Sequence, residues 1–180
     1  MGLRMSLRSI GLGVSVLFSL SRFAAASPAD SPSGIDAIVA YAGTWKIEIQ
    51  RVGTAHSKAG HENSVLRNSC WKDGAYLACN QYVDGDSKIL LVFTYHEKDK
   101  TYTSYQIPQD GTDAGKGKML IEENVWTFPW QITEKDATTY YRVVNTFTSR
   151  RRIEYRQEFS PDNVHWTVMA TGIENKTSDQ

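Results

Sequence analysis

From Gly43 onward the sequence is a succession of short segments in which apolar and polar residues alternate, divided at regular spacing by Gly, Asp, Asn and Pro. The first segment sets the pattern: Trp45, Ile47 and Ile49 alternate with Lys46, Glu48 and Gln50. A period of two places every second side chain on one face of an extended chain, which predicts a half-buried strand. Nine further segments follow, at 63–71, 76–83, 89–96, 101–107, 118–122, 125–133, 138–148, 152–159 and 166–174. No helical period occurs after Ala42, and only residues 34–42 (GIDAIVAYA) read as a short apolar helical turn. Tight turns between neighbouring strands predict an all-β fold, a single antiparallel up-and-down meander of about ten strands. Closing the meander into a barrel removes its exposed edges and leaves room inside for side chains plus one small ligand. A β-sandwich needs longer crossovers, and the stretch 108–117 (PQDGTDAGKG) is the one candidate for such a connection.

The N-terminus points to export. Arg4 and Arg8 precede a short apolar run at 10–20, and Phe23-Ala24-Ala25-Ala26 offers a small-residue cleavage site before Ser27. This is the pattern of a signal peptide over residues 1–26, and the apolar run is shorter than the about 20 residues a membrane span requires. Residues 27–33 are a Ser/Pro-rich linker, 34–175 the barrel domain and 176–180 a disordered tail. Removing Arg4, Arg8 and Arg22 leaves 17 basic against 20 acidic residues. A mildly acidic domain without a basic stripe is not built for nucleic acid. Secretion or a periplasmic location is the expectation, with no membrane span and with the oligomeric state left open.

Export also bears on the two cysteines, Cys70 and Cys79, since an even pair in an oxidising compartment reads as a disulfide. Eight residues lie between them, which suits neither a redox CxxC motif nor a zinc knuckle. The pair also selects a hairpin register. An Asp73-Gly74 loop would set Cys70 against Leu77. A Gly74-Ala75 loop, with Gly leading as a type II′ turn prefers, sets Asp73 against Tyr76 and Cys70 against Cys79. A four-residue loop with the same pairing serves equally. Closing this loop contributes roughly 2.5–3 kcal/mol on the chain-entropy account.

Gly43-Thr44-Trp45, at the mouth of the first strand after a helical turn, resembles the G-x-W signature of lipocalin-like (calycin-type) barrels. The whole exported chain is similar to small secreted bacterial barrels of this type assigned only to domain-of-unknown-function families. The resemblance implies that Trp45 plugs one barrel end under an arginine from a late strand, with Arg156 the first candidate and Arg142 the second.

Chemistry-bearing motifs are sparse. There is no G-x-S-x-G elbow or Walker loop, and the glycines at 111–117 lack the strand-to-helix setting of a phosphate loop. Glu122 and Glu123 are adjacent, so a strand points them to opposite faces. His56 and His61 share a loop without a third ligand, and His96 and His165 read as surface residues, so neither a metal nor a cofactor is expected. The functional expectation is therefore a barrel interior that binds a small hydrophobic or amphipathic molecule. Trp45, Arg67, Tyr95, Tyr105, Trp130 and Arg142 are the candidate ligand-binding residues. An interaction module using the barrel exterior ranks second. An envelope enzyme ranks third, and it requires Arg67, Tyr95, Tyr105 and Arg142 to converge in one cavity. Pro129, between Phe128 and Trp130, marks an edge, bulge or rim.

Overall fold

A computed structural model describes residues 34–112 and 114–179; the expected signal peptide and linker lie outside these residues. A 3-10 helix at Gly34–Tyr41 is followed by β1 (Gly43–Arg51), β2 (Gly60–Asp73), β3 (Tyr76–Val83), β4 (Asp86–His96) and β5 (Thr101–Pro108). Then come β6 (Gly115–Glu122), β7 (Val125–Glu134), β8 (Ala137–Ser149), β9 (Arg152–Ser160) and β10 (Thr167–Ser178). Every strand pairs with its neighbours in sequence, and β1 pairs with β10 to close the barrel. The 108–117 stretch is thus a local connection into β6 and not a crossover.

The alternation places one face of each strand inside. On β1 the inward set is Trp45, Ile47 and Ile49, all buried, while Lys46, Glu48 and Gln50 face water or neighbouring side chains. The 3-10 helix caps one end of the barrel. Its three-residue turn puts Ile35 and Ile38 on one side, where they join a core with Leu77, Phe93, Tyr102 and Trp126. A second core, of Trp45, Ile47, Ile49, Leu66, Ile153 and Ala170, lies along the β1–β10 closure.

The cysteine hairpin adopts the register that pairs Cys70 with Cys79 and Asp73 with Tyr76. Gly74 leads the two-residue loop at φ 54° while Ala75 stays out of the positive-φ region, as a type II′ turn requires. The disulfide is formed, with Cα atoms 4.0 Å apart, and Cys79 is fully buried in the first core. The double variant Cys70→Ala/Cys79→Ala is expected to lose about 2.5 kcal/mol of stability through the freer unfolded chain. A lower urea midpoint, with a slope that rises as the unfolded chain expands, reads this out, and an unmoved midpoint would contradict the structural role.

The last strand departs from expectation. β10 runs to Ser178, so Lys176, Thr177 and Ser178 are strand and not tail. Pairing holds them there: Thr44 is registered against Ser178 and Trp45 against Lys176, and the Thr177 hydroxyl donates to the Thr44 carbonyl at 3.2 Å. Midway along the same seam, Gly172 meets Ile49, and a Cβ at Gly172 would lie 2.5 Å from the Glu48 carbonyl oxygen. Only glycine allows β10 to approach β1 this closely.

Candidate functional site

The barrel interior holds a half-open cavity of about 560 Å³. Its walls are apolar and aromatic, from Ile89, Leu91 and Phe93 on β4, Phe128 and Trp130 on β7 and Val143 on β8. Its polar lining comes from Tyr41 of the cap, Gln81 on β3, Ser104 and Gln106 on β5, Asn145 on β8, Tyr155 on β9 and Glu174 on β10, with Lys116 and Lys118 of β6 at its exposed side. The wall is thinnest between β6 and β7. Their ladder covers three pairs, ending at Leu120 with Thr127, although β7 goes on to pair with β8 as far as Glu134. Beyond that point Gly117, Pro129 and Trp130 line the cavity; Gly117 presents no side chain to close it, and Pro129 has no N–H to extend a ladder. Pro129 thus lies past the end of the β6–β7 ladder, an edge position of the kind expected for it.

The polar end of the cavity is anchored by backbone and amide groups. The Tyr41 carbonyl accepts hydrogen bonds from Trp45 Nε1 and Asn68 Nδ2, each at 3.1 Å. Gln81 Nε2 in turn donates to Asn68 Oδ1 at 3.1 Å. Burial, with the Glu174 carboxyl nearby, raises the Tyr41 hydroxyl well above the usual phenol range. Burial likewise pushes Tyr155 up to about 12, with the charge of Arg51 opposing the rise. Glu174 is 4% exposed, and the loss of solvation pushes its carboxyl up to about 7. Two buried side-chain oxygens have no hydrogen-bond partner among the described residues, Glu174 Oε2 and Asn145 Oδ1, and both residues line this cavity.

Only one of the six residues singled out from the sequence lines the cavity. That is Trp130, whose ring stacks on Tyr141 with centroids 5.3 Å apart. Trp45 is fully buried as a plug beside Phe147, and the cation over its ring is Lys176 Nζ at 5.0 Å. The expectation of Arg156 or Arg142 in that role is corrected by the register, which puts Lys176 directly opposite Trp45. Tyr95 packs near the cap, its ring 4.7 Å from that of Tyr102 and close to Gly34. The other three turn outward. Arg67 lies over Tyr82 at 4.2 Å and Lys116 over Tyr105 at 5.7 Å. Arg142 lies over Trp166 at 4.0 Å while its Nε donates to Glu158 at 2.6 Å. Arg156 shares the same carboxylate at 2.9 Å. The convergent set that an enzyme would have needed does not form, because Asn68, Ser104 and Val143, the sequence neighbours of three of its members, take the inward positions.

Sequence reasoning missed Glu174, Tyr155, Asn145 and Tyr41. Glu174 ends the segment 166–174, and a lone carboxylate in that position carries no local sign of burial. The loop after β1 also holds a surprise: the His56 ring packs 4.4 Å from Phe159, and its Nδ1 lies 3.1 Å from the Tyr141 hydroxyl. A second hollow, of about 980 Å³, lies outside the cap between Asp36, Asn124, Arg151 and Lys176. Both of those cations are bonded to Asp179. The closed ten-strand antiparallel barrel is consistent with a lipocalin-like fold. No protein-family model and no curated protein matches the chain, so its function has to be argued from the barrel interior.

Proposed function

We propose that this is an exported, lipocalin-like barrel of the secreted bacterial type that binds a small, mostly apolar molecule in its interior. The observation that carries the reading is the half-open cavity of about 560 Å³, within the roughly 300–1,000 Å³ of small-molecule sites, with mostly apolar walls and a few polar groups. The disulfide supports passage through an oxidising compartment, and no helix among the described residues is long and apolar enough to cross a membrane. The arginines and apolar run at the N-terminus support export.

Titration with the neutral fluorescent probe N-phenyl-1-naphthylamine tests the reading. The folded protein is expected to bind it saturably. Leu91→Trp, which fills the cavity from β4, is expected to weaken that binding about tenfold, since displaced apolar contact area sets the affinity. Absence of saturable binding to the folded, disulfide-intact protein would refute an interior ligand site.

A further inference from the structure

The buried side-chain oxygens left without a partner are both acceptors, Glu174 Oε2 and Asn145 Oδ1, and no buried side-chain donor among the described residues is left unpaired. Buried polar groups are paired in the great majority of cases, and both unpaired acceptors belong to residues that line one cavity, which calls for a hydrogen-bond donor from outside the chain. Arg51 is bonded to Glu62 at 2.8 Å and Lys176 to Asp179 at 3.2 Å, Lys116 and Lys118 line the exposed side of the cavity, and Glu174 forms no ion pair among the described residues. A metal ion would need several ligating side chains, and no group of three His, Cys, Asp or Glu is gathered anywhere among the described residues. The aromatic side chains of Tyr41, Phe93 and Phe128 line the same space, and aromatic rings attract an organic cation.

We infer that the interior ligand is an amphipathic amine, its ammonium group hydrogen-bonded to the Glu174 carboxylate and its apolar body lying along Leu91, Phe93 and Phe128. This deepens the interior-binding proposal and rests on it. The order of groups on the sheet supports the arrangement. Glu174 and Asn145 flank Tyr155, which is registered against Asn145 on one side and against the side-chain-free Gly172 on the other. An ammonium donates three hydrogen bonds, and carboxylate, amide and phenol oxygens supply acceptors along one stretch of wall.

Calorimetric titration at about pH 8, where Glu174 is ionised, with octylamine, octan-1-ol and octanoate decides the matter. These probes share a chain and differ in the head group. Octylamine is expected to bind about 10-fold to 100-fold more tightly than octan-1-ol, the span of a charge-assisted hydrogen bond, with octanoate weakest. Glu174→Gln is expected to abolish the amine advantage while leaving octan-1-ol within about twofold of wild type, and near-ultraviolet circular dichroism confirms its fold. Asn145→Ala, away from the charge, is expected to weaken octylamine severalfold. If octan-1-ol or octanoate binds as well as octylamine, or if Glu174→Gln keeps the amine preference, the amine inference is overturned and interior binding stands. If none of the three binds the folded protein, both are overturned.

Discussion

Trp45→Ala is expected to destabilise the barrel by about 3–5 kcal/mol, the range for deleting a large aromatic side chain from a core. The indole is fully buried, and three kinds of contact converge on it. Its Nε1 donates to the Tyr41 carbonyl at 3.1 Å, which ties the cap to the first strand. Its ring meets Phe147 edge-on at 6.3 Å, and the Lys176 ammonium lies 5.0 Å above it. Trp45 also sits on β1, the strand that pairs with both β2 and β10 and so completes the closed wall. Alanine would leave a void that these groups cannot fill, because the flanking ladders hold the backbone in place. Trp45→Phe retains most of the volume and loses the N–H, so its cost is expected near 1–2 kcal/mol. Urea unfolding of both variants separates packing from hydrogen bonding. A loss under about 1 kcal/mol for Trp45→Ala would show that the plug does not hold the closed end.

Glu174→Gln is expected to stabilise the protein above neutral pH by about 3 kcal/mol, with an effect that vanishes in acid. Burial raises the folded-state carboxyl from 4.5 to about 7, so the folded protein holds this proton more tightly than the unfolded chain does. Stability therefore falls as pH rises from about 4.5 to about 7, and the full cost of the buried charge is present above 7. Glutamine carries no such charge. The groups facing Glu174 do not reverse this sign. Tyr41 and Tyr155 are raised and stay neutral throughout the interval, Arg51 is bonded to Glu62, and Lys176 to Asp179. The carboxyls of Asp99, Asp110, Asp162 and Asp179 are lowered, so their contributions are lost only as pH falls below the ordinary aspartate range. Thermal unfolding of wild type and variant between about pH 5 and pH 8 isolates the term. A difference between the two that does not change with pH would refute it. A residue that destabilises the empty barrel yet faces its cavity fits a binding group retained for function at the expense of stability.

The strands were legible because alternation is local: Trp45, Ile47 and Ile49 announce a buried face without reference to any other segment. The hairpin register was legible too, because only a Gly74-Ala75 loop or its four-residue equivalent sets the cysteines opposite one another. The inward sets of β5 and β8 were not. Tyr105 beside Ser104, and Arg142 beside Val143, offer chemically plausible residues on both faces, and a shift of one residue exchanges the faces completely. Lys176 escaped notice because Asn175-Lys176-Thr177 looks like any polar tail.

The sequence by itself determined the class of fold, the number of strands and the cysteine pairing, all of which follow from local periodicity, turn chemistry and spacing, while the plug at Trp45 was an implication of the G-x-W resemblance. The tertiary structure alone decided which charges matter. Closure of β10 onto β1 places Lys176 over the plug and buries Glu174 in the cavity, while Arg67 and Arg142 turn to the outside. The reason is that burial of a polar residue is a property of the surface that closes over it, assembled here from strands more than a hundred residues apart in the chain.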